Sequence, residues 1–377
     1  MASLMPGIEK QIKSLAYDQG FDLIKITNAE PFLRDEQATL QRVRDGLMDG
    51  LPWYTEERVH KANHPELLID KPKTIISVAL SYNYGDSAVE DDRLQGKIAK
   101  YAWGDDYHDV MKKKLRVLAD GLPKIAGHPV ETRIFVDDGP MNDRAAAERA
   151  GLGWFGKNTN ILTPSHGSWV LLGQIITDLA LKTDLPLAKN CGECVRCIDD
   201  CPTGAIVAPF VIDNTKCISY LTIELRGSIP RDLRPLMGDW IFGCDICQDV
   251  CPVNIKAAKS RELSFTKRHD FDAPSLLPLL ELDDQTFRAR FHKSPIKRAK
   301  RVGLQRNVCV ALGNIGDPVA IPALKKVLNS LEPLVREHAA WALGQIGGDE
   351  ALATLRDTSA SDPDPEVRKE AAKSLLT

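Results

Sequence analysis

Eight of the nine cysteines in this 377-residue chain lie between positions 191 and 251. So many thiols in so short a stretch need one common chemical reason. The opening MASLMPGIEKQIK lacks the apolar core of a secretory signal, so the chain is read as cytoplasmic. Thiols stay reduced there, and a cysteine cluster points to metal rather than to disulfides. The first run is Cys191-Gly-Glu-Cys194-Val-Arg-Cys197-Ile-Asp-Asp-Cys201-Pro202, the C-x2-C-x2-C-x3-C-P spacing of bacterial ferredoxins. The second, Cys244-Asp-Ile-Cys247-Gln-Asp-Val-Cys251-Pro252, ends in the same way but lacks a nearby first cysteine, for which Cys217 is the candidate. In that spacing the fourth cysteine serves the other cluster. Cys191, Cys194, Cys197 and Cys251 are therefore expected to hold one [4Fe-4S] cluster, and Cys201, Cys217, Cys244 and Cys247 the other. Two structural zincs would also use eight thiolates, but zinc does not need the x2-x2-x3-Pro rhythm. Cys309, far from the rest, reads as a small buried apolar residue.

Such clusters move single electrons, and a ferredoxin needs only a fraction of this length. The N-terminal side should therefore hold the electrons' destination. Residues 7–20 show helical periodicity ending at Gly20, and FDLIKI follows as a strand. Further strands are expected at 74–82, 131–137 and 169–177, with helices from Asp105 to Leu122 and from Asn142 to Ala150. The pattern is mixed α/β. Beyond the cysteines, Val335-Arg336…Ala342-Leu343-Gly344 recurs as Val367-Arg368…Ser374-Leu375 and is preceded by a copy ending Ala311-Leu312-Gly313. Units of this period stack as an α-solenoid of HEAT-like repeats. The fold class is thus α+β and multidomain, with expected divisions at 1–183, 184–262 and 263–377.

A net charge of -3 excludes a globally basic nucleic-acid coat, and no stretch is long and apolar enough to span a bilayer. One local run departs from that balance: Arg288, Arg290, Lys293, Lys297, Arg298, Lys300, Arg301 and Arg306, with no acid between the first and the last. A charge run is often just a solvated face, but beside a repeat array it also suits the phosphates of a folded RNA. Gly151-x4-Gly156-Lys157 nearly spells a P-loop, yet it follows a helix and has Asn158 where a Ser or Thr is needed, so an NTPase is rejected. Asp106-x-His108 begins like the cobalamin signature D-x-H-x-x-G, but Met111 replaces its glycine. Asp137, at a strand end before Gly139-Pro140, either caps the next helix or delivers a proton beside a cofactor.

Val136-Asp137-Asp138-Gly139-Pro140-Met141-Asn142-Asp143-Arg144, the following Ala150-Gly151-Leu152-Gly153-Trp154-Phe155-Gly156-Lys157-Asn158, the two cysteine runs and the repeat tail together resemble the epoxyqueuosine reductases. The resemblance covers nearly the whole chain. It implies a cobalamin-binding N-terminal domain, a ferredoxin-like middle with two [4Fe-4S] clusters and a tRNA-binding tail. It also implies reduction of the epoxide of epoxyqueuosine at the wobble position of tRNA, with electrons from an external low-potential donor. The family's catalytic aspartate falls on Asp137, although Asp138 stands where the family's VD[ST] has a hydroxyl. By position in the family pattern, Arg58, Asp137, Thr163, Gln174, Ser219 and Asp245 are the expected cobalamin contacts. The chain is expected to act as a monomer. Two other readings share parts of this pattern: an electron-transfer adaptor that docks a partner on its repeats, and a cobalamin-dependent reductive dehalogenase.

Overall fold

The computed structural model describes residues 7–85 and 94–376. The first six residues of the opening segment lie outside them. A four-stranded antiparallel sheet organises the N-terminal half: β1 (Leu23–Asn28), β2 (Thr74–Ser81), β3 (Thr132–Phe135) and β4 (Val170–Thr177), in the order β1-β2-β4-β3. Every residue of β2 is buried, as befits a central strand covered on both faces. Its side chains alternate. Ile76, Val78 and Leu80 pack with Ile12 of the helix Ile8–Asp18 and with Met111, Leu115 and Leu118 of the helix Tyr107–Ala126. Ile75 faces the opposite way, toward Ala145 and Ala146 of the helix Asp143–Arg149.

The expected strands and helices form close to where periodicity places them. The long helix runs past Leu122 to Ala126 and ends at Gly127 in the left-handed region (φ 76°), despite Pro123. Proline near a helix end removes only one backbone hydrogen bond, so one more turn is tolerated. No described helix is long and apolar enough to cross a membrane.

The cysteine segment contains little regular structure: one-turn helices at Arg196–Asp199 and Ile246–Asp249, and a hairpin of Ile206–Ala208 with Val211–Ile212. The strand Trp240–Phe242 pairs in parallel with Lys97–Ile98 and so ties this segment to the N-terminal half. The repeats follow as helices Lys300–Ile315, Ile321–Val327, Pro333–Ile346, Asp349–Ser361 and Pro365–Ser374. Their recurring glycines have a packing cause. A Cβ on Gly313 would lie 2.7 Å from the Trp341 ring, and one on Gly344 2.6 Å from Ser374 Cβ. Each glycine lets the next helix approach closely. Cys309 is wholly buried, as expected.

A single hydrophobic core joins Ile98 and Trp103 to Phe242 of the cysteine segment, Phe287 beyond it, and Leu312 and Trp341 of the repeats. The packing therefore runs without a break through position 263.

Candidate active site

The site forms where β3 ends. Asp137, in the turn after Phe135, has φ 54°, a backbone region that costs an L-residue about 1–2 kcal/mol. Such strain is characteristic of functional turns. The tight path also depends on Gly139, where a Cβ would lie 2.4 Å from the Phe135 ring. Asn142 then caps the helix Asp143–Arg149 by accepting from the Ala145 N–H at 3.2 Å, so the helix-capping role considered for Asp137 falls to Asn142 instead. Asp137 is exposed rather than enclosed by protein.

Tyr107, the first residue of the long helix, donates its hydroxyl to Asp137 Oδ2 at 2.7 Å. Burial, reinforced by the Asp137 charge, pushes the Tyr107 hydroxyl well above the phenol range, so it remains a donor. Tyr101 packs edge-on against Tyr107, with ring centroids 6.0 Å apart, and lies 6.1 Å from the Phe242 ring. Phe242 is two residues from Cys244. An aromatic path thus connects Asp137 to the second cysteine run. Asp138 points elsewhere and pairs with Lys112 on the surface.

Beneath the turn, Asp143 is pushed well above the carboxylate range by burial and then by the charge of Asp137. Its Oδ1, Gln174 Oε1, Ser77 Oγ and Trp154 Nε1 are buried without a hydrogen-bond partner. Ser77 and Phe135 are register partners of Gln174 on β2 and β3, and Gln174 donates to Asp143 O, so Ser77, Gln174 and Asp143 lie together under the turn. Buried polar atoms are normally satisfied, and several left open in one place suit a polar ligand.

The remaining expected contacts divide in three. Arg58, on the helix Glu56–Asn63, donates to Gly139 O at 3.3 Å, and Gln174 donates to Asp143 O at 3.2 Å; both therefore converge on the Asp137 turn. Ser219 lies apart, half-buried in the short helix that begins after Cys217. Thr163 and Asp245 are committed to the protein's own backbone. Thr163 Oγ1 donates to Gly167 O at 3.0 Å and accepts from the His166 N–H. Asp245 accepts from the Lys100 N–H at 2.7 Å, and burial pushes its carboxyl up to about 7. Asp106 and His108 form a helix cap, with His108 Nδ1 2.8 Å from Asp106 Oδ1, and this occupies that ring nitrogen.

The eight thiols fall into two neighbourhoods. Cys197 has Cys191, Cys251 and Cys194 as its thiol neighbours, and burial with their influence pushes it up to about 11. These four line a small pocket with Gly156, Lys157 and Arg196. Cys217 and Cys201 neighbour Cys244, whose thiol is pushed up chiefly by burial, and Cys247 lies against Cys244 and Cys217. The second group lies on the Phe242 side, with Cys217 and Cys244 packed against the hydrophobic core.

The basic run is only partly a surface patch. Arg306 is wholly buried and donates to the carbonyls of Leu221, Leu225 and Gly227. Arg301 pairs with Asp284 and Glu332, and Arg290 with Asp270. Lys297 pairs with Asp106 at 3.1 Å, while Arg298 pairs with Glu224 and lies 5.5 Å from the Trp53 ring. Arg288, Lys293 and Lys300 are exposed, with no acidic partner among the described residues. Because Lys293 O accepts from the Asp106 N–H, the run passes beside the start of the Tyr107 helix. Sequence reasoning missed Tyr107, Tyr101 and Asp143. The Asp106 cap was the available pointer to Tyr107, and nothing local marks Tyr101.

Three family profiles match: "Epoxyqueuosine reductase QueG, DUF1730" over residues 63–138, "4Fe-4S double cluster binding domain" over 190–254 and "HEAT repeats" over 297–376. An epoxyqueuosine reductase of Xanthomonas campestris pv. campestris is 39% identical over 343 residues, 89% of this chain and 96% of its own. That of Bacillus subtilis is 34% identical over 377 residues, covering 98% and 95%. A crystal structure of an epoxyqueuosine reductase with an epoxyqueuosine-modified tRNA-Tyr stem loop superposes with a TM-score of 0.92 at 32% identity, over 98% of both chains. A Bacillus subtilis structure whose aspartate-bearing catalytic loop is swung out of the active site superposes equally well, with a TM-score of 0.92. The chain belongs to the epoxyqueuosine reductase family.

Proposed function

We infer that the protein reduces the epoxide of epoxyqueuosine in tRNA to the alkene of queuosine, using electrons relayed by its iron–sulfur clusters. The balance is one epoxide, two electrons and two protons giving one alkene and one water. The observation that carries this reading is the strained Asp137 turn, held by Tyr107 and joined through aromatic rings to the second cysteine run.

Asp137 is the proton donor to the departing epoxide oxygen. Tyr107 fixes its Oδ2, which leaves Oδ1 for the substrate. The Lys112 ion pair at Asp138 supports Asp137 rather than Asp138 in this role. The buried open polar atoms at Gln174, Ser77 and Asp143 suit a large ligand rimmed by amides, and cobalamin is such a ligand. Arg58 and Gln174, which converge on the Asp137 turn, are the side chains that would hold it there; Ser219, Thr163 and Asp245 are proposed contacts by position in the family pattern. When bound, cobalamin supplies a low-valent cobalt centre as the reductant of the strained ring. Cys191, Cys194, Cys197 and Cys251 form the outer ligand set, placed to meet an external low-potential donor. Cys201, Cys217, Cys244 and Cys247 form the inner set. The working regions are 1–183 for catalysis, 184–262 for the relay and 263–377 for tRNA.

The test is nucleoside mass spectrometry on epoxyqueuosine-containing tRNA after anaerobic incubation with the reconstituted protein and a low-potential reductant, with and without cobalamin. Cobalamin-dependent loss of one oxygen is expected. No loss with both clusters intact and cobalamin bound would overturn the assignment.

A further inference from the structure

Away from the reaction site, two histidines and a carboxylate meet between neighbouring helices. Glu36 lies on the helix Leu33–Arg44, His60 on the helix Glu56–Asn63, and His64 at the C-terminal end of the latter. Glu36 Oε1 is 2.8 Å from His60 Nδ1, and Glu36 Oε2 is 3.0 Å from His64 Nε2. The candidate ligand atoms all lie within 4.8 Å of one another. The two imidazoles are 4.0 Å apart, centroid to centroid.

We propose that Glu36, His60 and His64 form a binding site for a divalent first-row transition ion of the zinc class, clasping the two helices together.

Three observations support this. The donor set is two imidazoles and one carboxylate, a mixture that suits zinc better than the oxygen-seeking magnesium or calcium. Tetrahedral bonds of about 2.0–2.2 Å put neighbouring ligand atoms roughly 3.3 Å apart, so atoms that already lie within 4.8 Å of one another admit the ion by side-chain rotation alone, without backbone movement. Finally, Glu66 Oε1 lies 2.8 Å from His64 Nδ1. A carboxylate on the far ring nitrogen is the usual device that fixes the tautomer of a metal-bound histidine. Three protein ligands leave a fourth position for water.

The site lies on the outer side of the catalytic turn. Asn63 Oδ1 accepts from Asn142 Nδ2 at 2.9 Å, and the Asn142 N–H donates to Ala62 O at 3.0 Å. Arg58 reaches Gly139 from the same helix. A metal clasp at His60 and His64 would therefore stiffen the helix from which the Asp137 turn hangs. The proposal does not depend on which reaction that turn performs.

The test compares the full-length iron-loaded protein with its His60→Gln and His64→Gln double variant. Both are equilibrated at buffered micromolar free zinc near pH 7.5, desalted, and assayed for zinc and iron by plasma emission. Stray zinc on cysteines is common to both, so the difference isolates the site. The expected result is about one more zinc per chain in the wild type at equal iron, with a zinc-dependent rise in its thermal midpoint that the variant lacks. His60 is exposed, so His60→Gln alone supplies a correctly folded second variant, expected to bind zinc at least tenfold more weakly. Equal zinc in all three proteins would show that the cluster is an ion-pair lattice only, and would overturn the proposal.

Discussion

Asp137 and Asp138 are chemically identical neighbours, and their surroundings separate them. Asp137 occupies a left-handed backbone position against the Tyr107 hydroxyl, whereas Asp138 is tied to Lys112. Asp137→Asn is expected to lower kcat by at least about 100-fold, the low end for loss of a general acid, with iron content and tRNA affinity unchanged. Asp138→Asn should stay near wild type. Tyr107→Phe removes one positioning hydrogen bond and should reduce kcat roughly tenfold with KM little changed, as single-turnover kinetics would show. Asp106 anchors the start of the same helix. Burial pushes its carboxyl up, but bonds from His108 and Lys297 outweigh that and hold it down at about 2. A depressed carboxyl stabilises the fold above its unfolded value and ceases to do so as pH falls through the folded one. Asp106→Asn should therefore cost about 2 kcal/mol at neutral pH, against an ordinary value of 3.8. In denaturant titrations the deficit should persist down to about pH 4 and shrink below it.

Periodicity located the helices well because each buries one stripe, and β2 stood out as a largely apolar run because both of its faces are covered. β2 alternates between two helical layers, and the helix Tyr107–Ala126 keeps Met111, Leu115 and Leu118 on a single stripe. The strand order was not legible, since β4 inserts between β2 and β3 through contacts distant in sequence. The repeat was legible as a period, but its glycines acquire a reason only when the helices stack. Gly313→Ala places a methyl 2.7 Å from the Trp341 ring and 2.9 Å from Ala342 Cα, where backbone cannot yield cheaply. The expected cost is about 1–3 kcal/mol, visible as a lower denaturant midpoint. Gly316, at the end of the same helix, meets nothing within 4 Å but has φ 72°. Gly316→Ala should therefore destabilise only through backbone strain, by about 1 kcal/mol. The pair distinguishes close approach from conformation as the reason for a glycine.

At the scale of the whole molecule, cysteine spacing and repeat period read as separate modules, but the hydrophobic core runs from Ile98 through Phe242 to Trp341. Short-range patterns report what each segment does by itself; they do not report which segments share an interior. The basic run shows the same gap. Eight cations without an intervening acid read as one patch, yet Arg306 is buried among carbonyls and Arg301, Arg290 and Arg298 have acidic partners from distant segments. Phosphate contacts contribute to the salt dependence of binding only where a cation is free to meet them. Lys293 and Lys300 are exposed and lie on the stretch that passes beside Asp106. Replacing both with Gln should lower the slope of log affinity against log salt by about 1.5, measured on the modified tRNA by filter binding. Arg306→Gln should instead leave the slope unchanged in whatever protein still folds. Its effect should appear as a loss of stability of about 3–5 kcal/mol, in line with removal of a buried, fully bonded charge. If Arg306→Gln flattened the salt slope and the lysine pair did not, the RNA would be reading a surface other than the one this fold exposes.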